Sequence, residues 1–174
     1  NNDLCKLMMP DIREKVMKEK DPFYAAAKVA VFGNIIDLGL GHRFDVEREI
    51  DTILQEPFAL DKYEQFRKSI EGGEKNILYI ADNCGEIVFD RIFVELLSKE
   101  NKVSVVVKSG PIINDATRED AEYAGIMDYA EILETGSDGI GVEWSSVSEE
   151  FVKAFEIADV VVAKGQGNFE TLCT

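Results

Sequence analysis

Between Asp11 and about Pro57 the apolar positions recur at helical spacing, with charged residues filling the remaining positions. Segment 11–20 (DIREKVMKEK) predicts a charged amphipathic helix. In 21–39, Asp21 is placed to cap a helix whose first position is Pro22, where a missing N–H does no harm. Phe23, Ala26, Ala27, Ala30, Val31 and Ile35 would line its apolar face. Segments 45–57 and 61–70 predict a third and a fourth helix, and Gly72-Gly73 ends the run.

The period then changes. Segments 76–82, 102–109, 130–135 and 158–165 are short and rich in β-formers, and they predict strands. Helical patterns at 89–100, 116–126 and 148–158 lie between them. Strand–helix alternation with apolar strands implies an α/β fold: a doubly wound, Rossmann-like, mostly parallel sheet with helices on both faces. The expected organisation is an all-helical part over 1–73 and an α/β part over 74–174. There is no internal repeat and no low-complexity segment. The chain starts without a methionine or a signal-peptide pattern, and it stops at FETLCT, where a new helix is due. It therefore reads as a fragment of a longer protein.

Composition narrows the chemistry. The 174 residues carry a formal net charge of −15. A nucleic-acid partner would need a basic face, and an anionic membrane surface would need one too. No apolar run reaches the roughly 18–20 residues of a membrane span. An apolar fraction of 45% is enough for a buried core. The three cysteines are far apart and odd in number, which fits a reducing compartment and a cytoplasmic location. The single histidine, His42, sits in a Gly-rich turn and excludes a multi-histidine zinc site within this chain. Any metal must be held mainly by oxygen, which favours a hard cation such as Mg²⁺ or Mn²⁺.

In open α/β sheets ligands gather beyond the carboxyl ends of the strands. Three strands here end in polar clusters. The first is Asp82-Asn83-Cys84-Gly85-Glu86, with Asp90 a turn later. The second runs from Lys108-Ser109-Gly110-Pro111 to Asn114-Asp115-Ala116-Thr117. The third is Lys164-Gly165-Gln166-Gly167-Asn168. If the strands are neighbours, all three fall on one edge. Asp82, Asn83 and Asp115 would offer oxygen ligands to the cation. Lys108 and Lys164 would neutralise phosphate oxygens, and Gly165 and Gly167 would let backbone N–H groups approach an anion. Each cluster alone also fits a helix cap, a turn or a solvated side chain; three at three strand ends point to one site. Cys84 reads as a small packing residue. Asn34 and Asp37, one helical turn apart, either close the second helix near Gly39 and Gly41 or contribute a pocket wall.

The segments GNIIDLG (33–39), DNCGEIVFD (82–90), KSGPIINDATRED (108–120) and KGQGNFETL (164–172), in this order, resemble the domain-of-unknown-function-89 family of metal-dependent damage-control phosphatases, in its compact archaeal and bacterial branch. The resemblance implies a phosphatase acting on small phosphorylated metabolites, such as sugar phosphates or damaged cofactor precursors. It implies a divalent metal (Mg²⁺, Mn²⁺, Ni²⁺ or Co²⁺) on Asp82, Asn83 and Asp115, with Asp82, Asp115 and Lys164 as the catalytic set. Asn34, Asp37, Glu86, Lys108, Asn114, Gly165, Gly167 and Asn168 would line the substrate pocket. Family members are longer than this chain.

Two routes remain open for such a hydrolysis: attack by water, or attack by an aspartate through an aspartyl-phosphate. Two other functions also remain open. A strand ending in Asp-x-x-Gly superficially suits an S-adenosylmethionine-dependent carboxyl methyltransferase, although further glycines are missing. A non-catalytic phosphometabolite-binding protein would use the same residues without releasing phosphate. The oligomeric state is left open. An acidic chain should repel phosphate, and a cation together with Lys108 and Lys164 is expected to reverse the sign locally.

Overall fold

A computed structural model describes residues 2–37 and 43–173, with side chains described for 3, 5–33 and 48–173. In chain order the elements are α1 (Asn2–Lys18), α2 (Pro22–Asp37), α3 (Arg43–Gln55), α4 (Tyr63–Ser69), β1 (Asn76–Ile80), α5 (Glu86–Leu97), β2 (Lys102–Val107), α6 (Arg118–Ala124), β3 (Glu131–Glu134), α7 (Glu149–Ile157), β4 (Val160–Ala163) and α8 (Gln166–Leu172). The fold is the expected α/β one, with an all-parallel four-stranded sheet in the order β3-β2-β1-β4.

Boundaries moved where packing outweighed local signals. α1 begins nine residues before the expected start at Asp11 and runs through Pro10. Cys5, Met8, Ile12 and Val16 form its buried stripe, which outweighs the backbone hydrogen bond that Pro10 forgoes on the exposed face. Asp21 caps α2 as expected, accepting from the Tyr24 N–H at 3.0 Å. α5 starts at Glu86, three residues before the apolar pattern suggested, so that the first polar cluster runs directly into its first turn. All four strands are shorter at their carboxyl ends than expected, because their last polar residues turn away into loops.

Side chains alternate across the sheet, as the pleat requires. Ile77 and Tyr79 of β1 and Val103, Val105 and Val107 of β2 face α1, α2 and α5 in one core. Leu78, Ile80, Val106 and Leu133 face the other way, onto Phe151 of α7 and Val142. The helical part is not separately packed: Ala26, Val29 and Ala30 of α2 share the first core with Phe89 and Phe93 of α5. The β4 edge is less covered, and Val161 and Ala163 are exposed. Among the described residues no helix is long and apolar enough to cross a membrane.

The strand order determines where a site can form. From β1 the chain moves outward through β2 and β3, then returns to β4 on the other side. The connections leaving β1 and β4 therefore diverge and open a crevice at their carboxyl ends, the switch point where doubly wound sheets bind ligands.

Candidate active site at the carboxyl ends of the strands

Backbone pairing first draws the loops together. The Ala116 N–H donates to the Asp82 carbonyl at 2.7 Å, and the Cys84 N–H donates to the Asn114 carbonyl at 2.8 Å. Asn83 and Asp115 form an antiparallel bridge between them. The structure thereby sets Asp82, Asn83 and Asp115 side by side. From the other flank, Asn168 of α8 donates its amide to the carbonyls of Ala81 at 3.1 Å and Lys164 at 2.7 Å. This ties the third cluster to the first, so the three clusters form one site.

Below that rim lies a buried charged network. The Lys164 ammonium donates to Glu86 Oε2 at 2.6 Å and Asp90 Oδ1 at 2.8 Å. Asn83 Nδ2 donates to Glu86 Oε1 at 2.7 Å and to Asp82 Oδ2 at 3.2 Å. Burial alone would lower the Lys164 pKa, but Asp90 and Glu86 outweigh it and hold the ammonium above its ordinary value. Burial raises Asp90 in spite of that lysine. Asp82 is pushed up to about 6, first by burial, then by the charges of Glu86 and Asp115. Asp115 is also raised by burial, with Lys108 opposing.

Lys108 lines the cleft beside Asp115 and is tied to the protein's own groups. It is 4% exposed, its ammonium donates to the carbonyls of Gly139 (2.9 Å) and Gly141, and Asp115 lies 3.8 Å away. Burial lowers its pKa. Lys108 thus pins the β3–α7 loop beneath the site. That loop in turn supports α8: the Val142 N–H donates to Thr171 Oγ1 at 2.8 Å, and Gly141 lies against Gly167 so closely that a Cβ there would overlap the Gly167 carbonyl. Gly141 therefore has a packing reason to be glycine, and a Cβ on Gly167 would sit tightly against Ile140, 3.1 Å from its Cγ2. Gly165, at φ +86°, lies over Asp82, and a Cβ would overlap the carboxylate.

Outside the network a cleft of about 760 Å³ opens beside Asp115, with Ser109, Asn114, Thr117, Arg118 and Glu134 among its walls. Arg118 is held by Glu134 at 3.0 Å and the Ile132 carbonyl at 3.1 Å. Asn114 is thus placed at the cleft. Glu86 and Asn168 are buried beneath it, at 2% and 3% exposure, so they support the site from inside the protein and do not line its surface. Asn34 and Asp37 fall within α2, but their side chains, and all of His42, lie outside the described residues. The sequence reading missed the role of the β3–α7 loop. The signal that could have found it is the run of glycines in TGSDGIG (135–141), between the third strand and the helix that follows.

The donor set suits a hard cation. Among the described residues no three His, Cys, Asp or Glu side chains form a ready-made metal cage. Two carboxylates and an amide oxygen instead match a cation that keeps several waters. Burial first, then Glu86 and Asp115, raise the pKa of Asp82, and Lys164, which opposes them, is shared with two other carboxylates. The expected reversal of the local sign by a cation together with the two lysines depends on the cation. Asp82, Glu86, Asp90 and Asp115 outnumber Lys108 and Lys164, so without a cation the site stays formally negative.

Comparison with known proteins places the chain. The damage-control phosphatase ARMT1-like domain matches residues 1–174. A damage-control phosphatase of Pyrococcus horikoshii is 42% identical over 158 residues, covering 89% of this chain and 55% of that protein. A damage-control phosphatase of Archaeoglobus fulgidus is 35% identical, covering 98% of this chain and 60% of that protein. The crystal structure of a DUF89 family protein from Pyrococcus horikoshii superposes with a TM-score of 0.82 at 40% identity, covering 96% of this chain and 61% of that one. The chain thus spans little more than half the length of these relatives. On the match over its whole length and on the shared fold, this chain belongs to the damage-control phosphatase ARMT1-like domain family.

Proposed function

We propose that the site hydrolyses phosphate monoesters of small metabolites, sugar phosphates or damaged phosphometabolites, in a divalent-metal-dependent reaction that serves metabolite damage control. The observation that carries this reading is Asp82: a half-buried carboxylate beside Asp115, pushed up to about 6 and overlaid by a glycine that leaves no room for a Cβ. Such a charge calls for a cation, and a cation at a sheet switch point calls for an anionic ligand. The names of the relatives support a phosphatase. The three dispersed cysteines support a cytoplasmic setting.

Asp82, Asn83 and Asp115 would hold Mg²⁺, Mn²⁺, Ni²⁺ or Co²⁺. A divalent cation there supplies Lewis acidity toward a phosphoryl oxygen and acidifies water. Lys164 keeps its charge because two carboxylates stabilise it, and its third N–H remains to stabilise negative charge developing on the phosphoryl group. Asp82 or Asp115 would orient the attacking water and take its proton; the new P–O bond forms as the ester P–O bond breaks, and the leaving alkoxide takes up that proton from the aspartate. An aspartate attacking phosphorus directly would give the same products in two steps.

The test is a phosphate-release screen across sugar phosphates and nucleotide-derived phosphates with each metal. Asp82→Ala is expected to abolish the metal-dependent release, a loss of at least about 10³-fold. Full activity in that variant would refute the site. Binding of S-adenosylmethionine without phosphate release would favour a methyltransferase, and binding of sugar phosphate without turnover would favour a sensor.

A further inference from the structure

Glu86 occupies an unusual position for a carboxylate at a substrate site. It is enclosed at the first residue of α5, and its two oxygens serve different partners. Oε1 accepts from the Asn83 amide at 2.7 Å, and Oε2 accepts from the Lys164 ammonium at 2.6 Å. The Asn83 NH₂ also reaches Asp82 Oδ2 at 3.2 Å. These two contacts determine which way the amide faces. Turned over, it would set Oδ1 against two carboxylate oxygens, a repulsive arrangement in a half-buried site. Oδ1 must therefore face away from Glu86, and it is the oxygen left for a cation.

We propose that Glu86 is the positioning residue of this site. One oxygen turns the Asn83 amide so that Oδ1 is presented as a metal ligand; the other keeps Lys164 charged and stationary beside the phosphoryl position. A single carboxylate thus couples the cation ligand to the phosphate-binding lysine. The proposal rests on the reading of the site as a metal-dependent phosphatase, and it assigns Glu86 a task other than contact with substrate. Partners of this kind commonly alter metal affinity by about 10–100-fold when removed.

The polarity of the contact can be inverted. In Glu86→Gln the new amide has one oxygen, which Lys164 claims, so its NH₂ faces the NH₂ of Asn83. Asn83 must then turn over or lose its partner, and Oδ1 leaves the metal position. Adding Asn83→Asp removes the conflict, because a carboxylate accepts from the new NH₂ and presents oxygen whichever way it turns. The net charge of the pair is unchanged from the starting protein. Titration calorimetry with Mn²⁺ is expected to show affinity lower by about 10–100-fold in E86Q and restored to within about 3-fold in E86Q/N83D. Unchanged affinity in E86Q, or a double variant no better than the single one, overturns the proposal. A purely structural role for Glu86 would not be rescued by a change at position 83.

If E86Q does not fold, as judged by circular dichroism, the unmodified protein still decides the matter. Its Asn83 side-chain NH₂ should give two NMR signals that exchange slowly with solvent; a freely exchanging amide overturns the proposal. Mn²⁺ binding without phosphate release from any substrate would defeat the phosphatase reading while leaving the role of Glu86 standing. Absence of Mn²⁺ binding in the unmodified protein defeats both.

Discussion

Asp82 shows how a single residue carries the cost of a site. Its carboxyl titrates near 6 in the folded chain and near 3.8 when unfolded, so between these values the folded protein binds more protons. Stability must then fall as pH rises through that window and stay low above it. A two-unit shift on a wholly buried group would correspond to about 3 kcal/mol. Solvent screening at this half-buried position reduces it to about 1 kcal/mol. Asp82→Asn is therefore expected to raise the Tm of the metal-free protein by about 2–4 °C at pH 7.5, with the gain vanishing near pH 4. A gain that persists at pH 4 would mean that the charge of Asp82 is not its source. The same residue was legible in the sequence as a ligand candidate, but its raised pKa was not. That shift comes first from burial, then from Glu86 and Asp115, and only folding buries Asp82 and brings Asp115 near.

Among the elements, α8 depends on a contact far away in sequence. It is a short helix, and it is held by the β3–α7 loop through Gly141 and Val142. Gly141→Ala meets both a positive φ of 67° and the Gly167 carbonyl. We expect it to cost about 3 kcal/mol in denaturant unfolding and to lower phosphate release by displacing Lys164 and Asn168. Gly72→Ala is the comparison: φ is +89° there but nothing occupies the space, so only about 1–2 kcal/mol of backbone strain is expected, with turnover unchanged. Equal losses in the two variants would show that backbone strain, not the loop–helix contact, explains the first. Element types could be read from periodicity because a strand and a helix repeat differently. The ends could not, as α1 shows by passing through Pro10 once its buried stripe has a partner.

At the scale of the whole molecule, the helical and α/β parts share one core. Phe23 of α2 meets Phe93 of α5 at 5.1 Å between ring centroids, and Arg13 of α1 grips Glu95 of α5 at 2.7 Å. The sequence boundary near Gly73 is a change of period, and the packing crosses it. Thermal unfolding followed by far-ultraviolet circular dichroism should coincide with unfolding followed by the single tryptophan, Trp144, which packs on Phe155 on the far side of the sheet. Ala26→Leu, which overfills the α2–α5 contact, should lower both midpoints together, by about 1–3 kcal/mol. Two separated transitions would refute the shared core.

The order of residues along the chain was enough to determine the class of fold, the sheet edge at which the polar clusters gather and their oxygen-rich, histidine-poor character. These depend on periodicity and on residue type, which are local properties. The directions in which the charged groups face were decided only in three dimensions. Lys108 at the cleft donates to the carbonyl of Gly139, and Glu86 lies buried behind Asn83, whose amide it accepts from. A side chain's partner depends on which loops the sheet order brings together, and residues 31 and 78 positions apart in sequence become neighbours only when β2 pairs with β3 and β1 with β4.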